Sequence, residues 1–312
     1  MKILILNPNQ INRYNWGHQL FKNAFARHHD VVYYGEGFPK YNENMSVPRL
    51  LSKMKKKWKK DFDLIVTYES KWMRVFKGLA DVDIPKAHIV IDYHKPRKGF
   101  KGFSTCPTVD GLLKKNKPDI IFARSIRYVE DLKRNLDFEK IFFLPFSVET
   151  DLYRNMNLNR NIDAMATFTT RPFVYPLRKK IQTMLNKMPI TTFTKRVANN
   201  GYINILNRSK IFANSGEVGY VGLTMKFTEV LACGTLLITE EPNDMQAAGF
   251  KNGEHFVVFK GLDDLKRKIN YYLKHEKERK KIALEGMKFV HSHHNNDIRV
   301  EQFINKVKKE IL

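Results

Sequence analysis

Short apolar runs alternate with helix-patterned segments along the chain, and this alternation constrains the fold more than any other feature. Strand-like runs fall at 1–6, 30–34, 64–68, 87–92, 119–123 and 140–144, with helical segments at 15–27, 47–60, 109–116 and 129–135. Residues 145–161 are polar and Asn-rich, have no apolar period, and read as a linker. The alternation then restarts, with strands at 164–169, 190–194, 211–214, 235–239 and 255–259. Helices are expected at 176–186, 202–208, 225–232, 262–275, 276–291 and 297–311. Near-continuous apolar strands between helices mean parallel sheets covered on both faces. The expectation is an α/β chain of two doubly wound halves, with a ligand cleft between them at the carboxyl ends of the strands. At 312 residues and 43% hydrophobic, the chain has enough apolar material for two cores.

Several classes are set aside. The apolar start, 1–6, is too short for a signal peptide, and no run of about 18 apolar residues is present to span a membrane. Cys106 and Cys233 form neither a disulfide framework nor a zinc set, which suits a reduced, cytoplasmic compartment. The formal net charge of +23 points to a polyanionic partner: nucleic acid, an anionic membrane face or a phosphate-rich substrate. Two clusters carry much of it. Lys53, Lys55, Lys56, Lys57, Lys59 and Lys60 surround Trp58, and Lys95, Arg97, Lys98 and Lys101 are interleaved with Phe100 and Phe103. Cations interleaved with aromatic rings suit a phosphate backbone or an anionic bilayer.

The most informative stretch is 218–239, VGYVGLTMKFTEVLACGTLLIT. A glycine-containing loop, Gly219 to Gly222, runs directly into a helix beginning near Thr224. The first-turn N–H groups and the helix dipole make such a place suited to phosphate. Lys226 is unfavourable against that dipole unless an anion lies between them. Glu229 follows one turn later, where a carboxylate can accept both hydroxyls of a ribose. Gly234 suits the left-handed position that ends the helix.

Phe227, Glu229, Ala232, Cys233 and Gly234, followed by LLIT, resemble the donor-site signature of glycosyltransferase group 1, in the branch typified by spore-maturation glycosyltransferase-like proteins. The likeness continues through Gly253–Glu254–His255, Val257–Val258, Leu262–Leu265, Tyr272–Leu273, Glu278–Arg279, Ile282–Ala283, Gly286, His294 and Arg299. Upstream, LPFSVETDLYR at 144–154 resembles the family's interdomain strand and linker. The resemblance implies the GT-B fold, two facing Rossmann-like domains, with an acceptor domain at 1–147 and a nucleotide-sugar domain at 148–295. A C-terminal helix, 296–312, would cross back to the first domain. It also implies that Glu229 holds the ribose of a nucleoside diphosphate sugar, a UDP-sugar by preference. Gly222, Leu223, Thr224 and Lys226 would hold the diphosphate. The superfamily's second glutamate is replaced here by Val221, which leaves the sugar contact open.

Further diphosphate contacts are expected from Arg171, Arg178 and Lys195. In the first half, His18 follows the loop after the first strand, and Asp92 and His94 stand at a strand end; these are the candidate catalytic or acceptor contacts. Lys55, Lys56, Lys57, Trp58, Lys95, Arg97, Lys98 and Lys101 are the candidate acceptor-binding residues. Asp61–Phe62–Asp63 and Asp81–Val82–Asp83 spell a metal-binding D-x-D, but sit before strands or in a turn and read as capping residues. His291, His293 and His294 diverge on a helix and make no metal site.

The combined expectation is a retaining, metal-independent hexosyltransferase that needs no cofactor beyond its co-substrate. DNA carrying a hydroxymethylated base is favoured as acceptor over a teichoic-acid, polysaccharide or lipid-linked acceptor at the membrane face. A non-catalytic nucleic-acid-binding protein on the same scaffold is the third reading, and the intact Glu229 argues against it.

Overall fold

A computed structural model describes residues 1–11, 16–59, 61–96, 105–171, 173–217 and 219–312. Among these residues, six strands build the first sheet: β1 Lys2–Leu6, β2 Asp30–Tyr34, β3 Leu64–Tyr68, β4 Lys86–Val90, β5 Ile120–Ala123 and β6 Ile141–Phe143. All are parallel, in the order β2-β1-β3-β4-β5-β6. Helices α1 Gly17–Ala24, α2 Val47–Trp58, α3 Ser70–Met73, α4 Cys106–Asn116 and α5 Ile126–Asn135 connect them. Every residue of β3, β4 and β5 is buried, as cover on both faces requires.

The second sheet contains β7 Ile162–Met165, β8 Thr192–Phe193, β9 Ser209–Ala213, β10 Leu236–Thr239 and β11 Val257–Val258. It too is parallel, in the order β11-β10-β9-β7-β8. Its helices are α6 Pro176–Lys187, α7 Asn199–Arg208, α8 Met225–Ala232, α9 Gly261–Lys274 and α10 Glu276–His293; α11 Asn296–Ile311 closes the chain. Met1–Pro145 with Arg299–Leu312 forms one compact unit, and Phe146–Ile298 the other. The end of α11 completes the first unit's core: the Phe303 ring lies 5.3 Å from Phe25 and 4.5 Å from Phe122.

Each sheet reverses its strand order once, between β1 and β3 and between β7 and β9. A doubly wound sheet opens a crevice at that point, outside the carboxyl ends of the two strands.

The structure shortens several expected elements. The strand expected at 164–169 ends at Met165, because side chains take the carbonyls beyond it: Gln182 Nε2 donates to Ala166 at 3.0 Å and Arg178 Nη1 to Thr169 at 3.2 Å. The strand expected at 190–194 is only Thr192–Phe193, since Gln182 also takes the Thr194 carbonyl. The strand expected at 255–259 shrinks to Val257–Val258, His255 being used by a turn in which its Nδ1 accepts the Lys251 N–H. The helix expected at 15–27 is α1 followed by a 3-10 turn, Phe25–Arg27. Helix α2 stops at Trp58, with Lys59 left-handed at its end. Gly234, at φ +66, takes the left-handed position after α8.

Candidate functional site

In the second unit, Arg178 spans the crevice between β7 and β9. It stands in the first turn of α6, introduced by Pro176. Its Nε donates to the Ser215 carbonyl beyond β9 at 3.1 Å, and its Nη1 to the Thr169 carbonyl beyond β7. The guanidinium lies 3.5 Å from the centre of the Tyr175 ring and 5.1 Å from that of Phe168. Burial pulls its pKa down, against the opposing pull of Tyr175, Glu217 and Glu240.

The loop from β9 to α8 is held against the segment after β10. Gly216 N–H donates to Glu240 Oε2 at 3.0 Å, and Val221 N–H to Asn243 Oδ1 at 2.9 Å. The Tyr220 hydroxyl donates to Asp244. Glu217 and Tyr220 exchange backbone hydrogen bonds across a turn in which Gly219 has φ +74. At Gly222 the need for glycine is steric: a Cβ would lie 2.9 Å from the Tyr220 ring. Thr224 stands at the N-cap of α8 with extended backbone, and its hydroxyl makes no capping bond. Buried Leu223 precedes it. Phe227 follows, packed edge-on against Phe250 at 4.8 Å and Phe256 at 5.0 Å, and fixes the helix.

Glu229 is 7% exposed. Burial raises its pKa, while Lys226 and a hydrogen bond with Tyr153 pull the other way. The Lys226 ammonium lies 4.2 Å from the centre of the Tyr202 ring. A buried carboxylate, a cation one turn earlier and a helix N-terminus thus share one short segment. Tyr153 and Tyr202 are additions that the sequence reading missed. Arg171 and Lys195 are exposed in the connections that follow β7 and β8; the Arg171 carbonyl accepts the N–H groups of Val174 and Tyr175 before α6.

In the first unit the crevice between β1 and β3 is filled by a buried polar network. Lys22, 1% exposed, donates to Asn7 Oδ1, to the Pro8 carbonyl at 3.1 Å and to Gln10 Oε1 at 2.8 Å. Asn7 donates to the Tyr68 carbonyl, and Gln10 Nε2 to Glu69 Oε2 at 2.8 Å. His18 Nδ1 lies 2.8 Å from the Tyr68 hydroxyl, to which Arg124 also donates at 3.5 Å. Burial lowers the His18 pKa to about 4 and raises that of Tyr68 to about 12. Asn7, Gln10, Lys22, Tyr68 and Glu69 were not singled out from the sequence. Three polar residues directly after the first strand, and a lysine on the following helix, were the available signal.

Glu69 is conformationally unusual. At φ 61 and ψ 111 it lies outside the left-handed region that Lys59 and Lys117 occupy as helix caps. Such a conformation in a residue other than glycine costs on the order of 1–3 kcal/mol and is kept only where its surroundings impose it. Burial opposes the charge of Glu69, but His18, Lys71 and Trp72 outweigh it and hold the carboxyl below its usual range.

Beyond β4, His94 is buried, with Nδ1 3.1 Å from the Tyr128 hydroxyl and Nε2 3.7 Å from Asp92 Oδ1. The Asp92 side chain is 55% exposed. Crowding by surrounding protein opposes its charge, and the partnership with His94 more than offsets this, leaving its pKa lowered. Lys95 is exposed. Arg97, Lys98, Lys101 and the side chain of Trp58 lie outside the described residues.

Lys55, Lys56 and Lys57 are exposed on the last turns of α2. That helix runs back to the amino end of the sheet, where Asp61 pairs with Lys2 at 2.8 Å. The structure therefore does not bring these lysines together with Asp92, His94 and His18 at the carboxyl ends. Asp61 and Asp63 are occupied by Lys2, as capping residues would be. His291 and His294 meet the carbonyls of Ala232 and Ala248, and the His294 ring stacks on Phe250.

Comparison with known proteins places the fold. Residues 158–305 match the family model described as "Glycosyl transferase-like", so the second unit is similar to that family. No curated protein matches the chain. Among solved structures, HepE from Anabaena in complex with UDP-glucose superposes with a TM-score of 0.70 at 12% identity, covering 99% of this chain and 100% of that one. Sucrose-phosphate synthase from Thermosynechococcus elongatus gives 0.68 at 11%, with 99% of each chain covered. An alpha-glucosyltransferase in complex with UDP and DNA containing an HMU base gives 0.60 at 13%, again with 99% of each chain covered. The chain has the α/β GT-B glycosyltransferase fold.

Proposed function

We propose that the protein is a glycosyltransferase of the spore-maturation-like branch. It moves a hexose, with retention, from a UDP-sugar (UDP-glucose first) to a hydroxyl of a polyanionic acceptor. The observation that carries the reading is the grouping on α8: buried Glu229, Lys226 one turn before it, and an N-terminus reached through a loop with no room for a side chain at Gly222. Glu229 holds the ribose. The α8 N-terminus, Lys226 and Arg178 take the charge that grows on the departing diphosphate, without a metal; stabilising such charge is commonly the largest catalytic contribution. Arg171 and Lys195, exposed, meet the outer phosphate oxygens. On the acceptor side, Asp92 takes the proton of the attacking hydroxyl, with His94 and His18 orienting the site.

The favoured acceptor is a hydroxymethylated base in DNA. The net charge of +23 supports it, as does the DNA carried by one neighbour of the same fold. The protein is expected to work in the cytoplasm; among the described residues, no helix is long and apolar enough to cross a membrane.

The test is transfer of radiolabelled glucose from UDP-glucose to duplex DNA with and without hydroxymethylated pyrimidines. Label retained only on the modified duplex, and lost in Glu229→Gln, is the expected result. Label entering a lipid-extractable or wall-polymer fraction instead would move the acceptor to the cell envelope. No release of UDP with any acceptor would sink the enzymatic reading.

A further inference from the structure

We propose that Lys71 binds one backbone phosphate of the acceptor strand, and that Glu69 is the positioning residue that holds it there. This deepens the proposed function and rests on its polyanionic acceptor. Lys71 follows β3 at the carboxyl end of the first sheet, beside the crevice between β1 and β3. Its ammonium lies 3.1 Å from Glu69 Oε1 and 5.1 Å from the centre of the Trp72 ring, yet the side chain is 41% exposed. The carboxylate beneath it is 9% exposed and is aimed from its other oxygen, where Oε2 accepts Gln10 Nε2 and Trp72 Nε1, each at 2.8 Å. The Glu69 backbone is fastened as well: its N–H donates to the Ile89 carbonyl at 3.0 Å, and its own carbonyl accepts the Trp72 N–H at 3.0 Å.

A free surface lysine loses much rotamer freedom when it meets an anion. Here most of that ordering exists before the anion arrives. The held group is a compact cation opening to solvent, and a phosphate suits it as a point charge. Lys71 also contributes to keeping Asp92 ionised, which sets it in the neighbourhood of the proposed acceptor contacts. The strained φ of Glu69 serves this arrangement by turning its carboxylate under Lys71.

The experiment is binding of the full-length protein to a fluorescent B-form duplex between 50 and 200 mM salt, beside UDP binding to the same preparations. Each phosphate contact contributes about −0.9 to the slope of log K against log salt. Lys71→Ala is expected to flatten the slope by about 0.9 and leave UDP binding unchanged. Glu69→Gln removes a negative charge, so a purely electrostatic role would tighten duplex binding; the positioning role requires it to weaken, with the same loss of slope as Lys71→Ala. An unchanged slope in Lys71→Ala overturns the proposal. So does a parallel loss of UDP affinity, which would assign Lys71 to the nucleotide diphosphate. Tighter binding by Glu69→Gln removes the positioning role, and should that variant not fold, Lys71→Ala decides alone. Wild type without salt-dependent duplex binding sinks the polyanionic acceptor itself and takes this contact with it.

Discussion

Replacing Glu229 by glutamine should separate folding from nucleotide binding. The carboxylate is 7% exposed, and burial raises its pKa against the opposing pull of Lys226 and Tyr153. With the folded pKa above the ordinary 4.5, the folded state holds the proton longer than the unfolded chain does. Stability therefore falls as pH rises from 4.5 through the folded value. Glutamine has no charge to desolvate, so the free variant should melt no lower than wild type at pH 8. Nucleotide should act oppositely. A ligand at 100 times its Kd stabilises by about 2.7 kcal/mol. Losing the charged acceptor for the ribose costs about 1.5–3 kcal/mol, or roughly 10- to 150-fold in Kd. At the same UDP-glucose concentration the gain should drop to about 0.3–1.3 kcal/mol. Thermal unfolding reads this directly, since 1 kcal/mol corresponds to about 2–4 °C in a domain of this size. A variant that keeps the full ligand-induced shift would show that Glu229 does not touch the nucleotide. A free variant that melts lower would show that Tyr153 and Lys226 more than repay the burial.

Gly286→Ala should destabilise the second unit: alanine gains about 1 kcal/mol in helix propensity, but its Cβ would meet the His255 carbonyl oxygen at 2.3 Å and Leu231 Cδ2 at 3.0 Å. Overpacking costs about 1–3 kcal/mol and backbone cannot move aside as a side chain can, so the urea midpoint should fall; a rise would refute the packing argument. His18 and His88 should remain neutral in the folded protein at pH 5.5, since burial lowers their pKa values to about 4 and about 3. Both folded values are depressed, so the stability tied to them is present above 6.5 and lost as pH falls towards about 4 for His18 and about 3 for His88; resonances of these two rings titrating near 6.5 in NMR would contradict this. Arg178→Lys should weaken UDP binding about 10-fold or more, because one ammonium cannot reach two carbonyls and a diphosphate together; unchanged affinity by calorimetry would leave Arg178 a structural crosslink.

Both sheets could be read from the sequence because strands buried on two faces are mostly apolar, as in β1, β3 and β10, whose runs are KILIL, LIVTY and LLIT. Short elements were harder to see. Helix α3 has four residues, about one turn, and so no period to detect. Expected strand ends failed where a side chain from another element, Gln182 or Arg178, replaces the ladder, a long-range event that local pattern does not contain. The α8 segment was legible because loop, helix start and carboxylate are consecutive. The first unit's polar network was not: Asn7, Lys22 and Glu69 are brought together by a switch in strand order, and a lysine on an amphipathic helix normally reads as solvated surface. Tyr153 escaped for the same reason, lying 76 residues before the glutamate it meets.

Topology also divides the cations by position. Helix α2 follows a parallel strand and must return to the start of the next one, so its twelve residues travel about 18 Å from the carboxyl to the amino end. Lys55, Lys56 and Lys57 therefore sit about a full strand length, roughly 16 Å, from the level of Asp92 and His94. Exposed charges at that distance are beyond the Debye length of about 8 Å at physiological salt. Under the proposed function they would add to the field that draws in a polyanion rather than hold a phosphate next to the reacting hydroxyl. Under the proposed function, the contact that fixes the acceptor is expected from cations at the carboxyl ends, where Lys71 pairs with a buried carboxylate and Lys95 follows His94 directly. Clustering in the sequence singles out Lys55, Lys56 and Lys57 together with Lys95; the direction of the strands separates them, and under the proposed function the acceptor contact falls to the cations at the carboxyl ends.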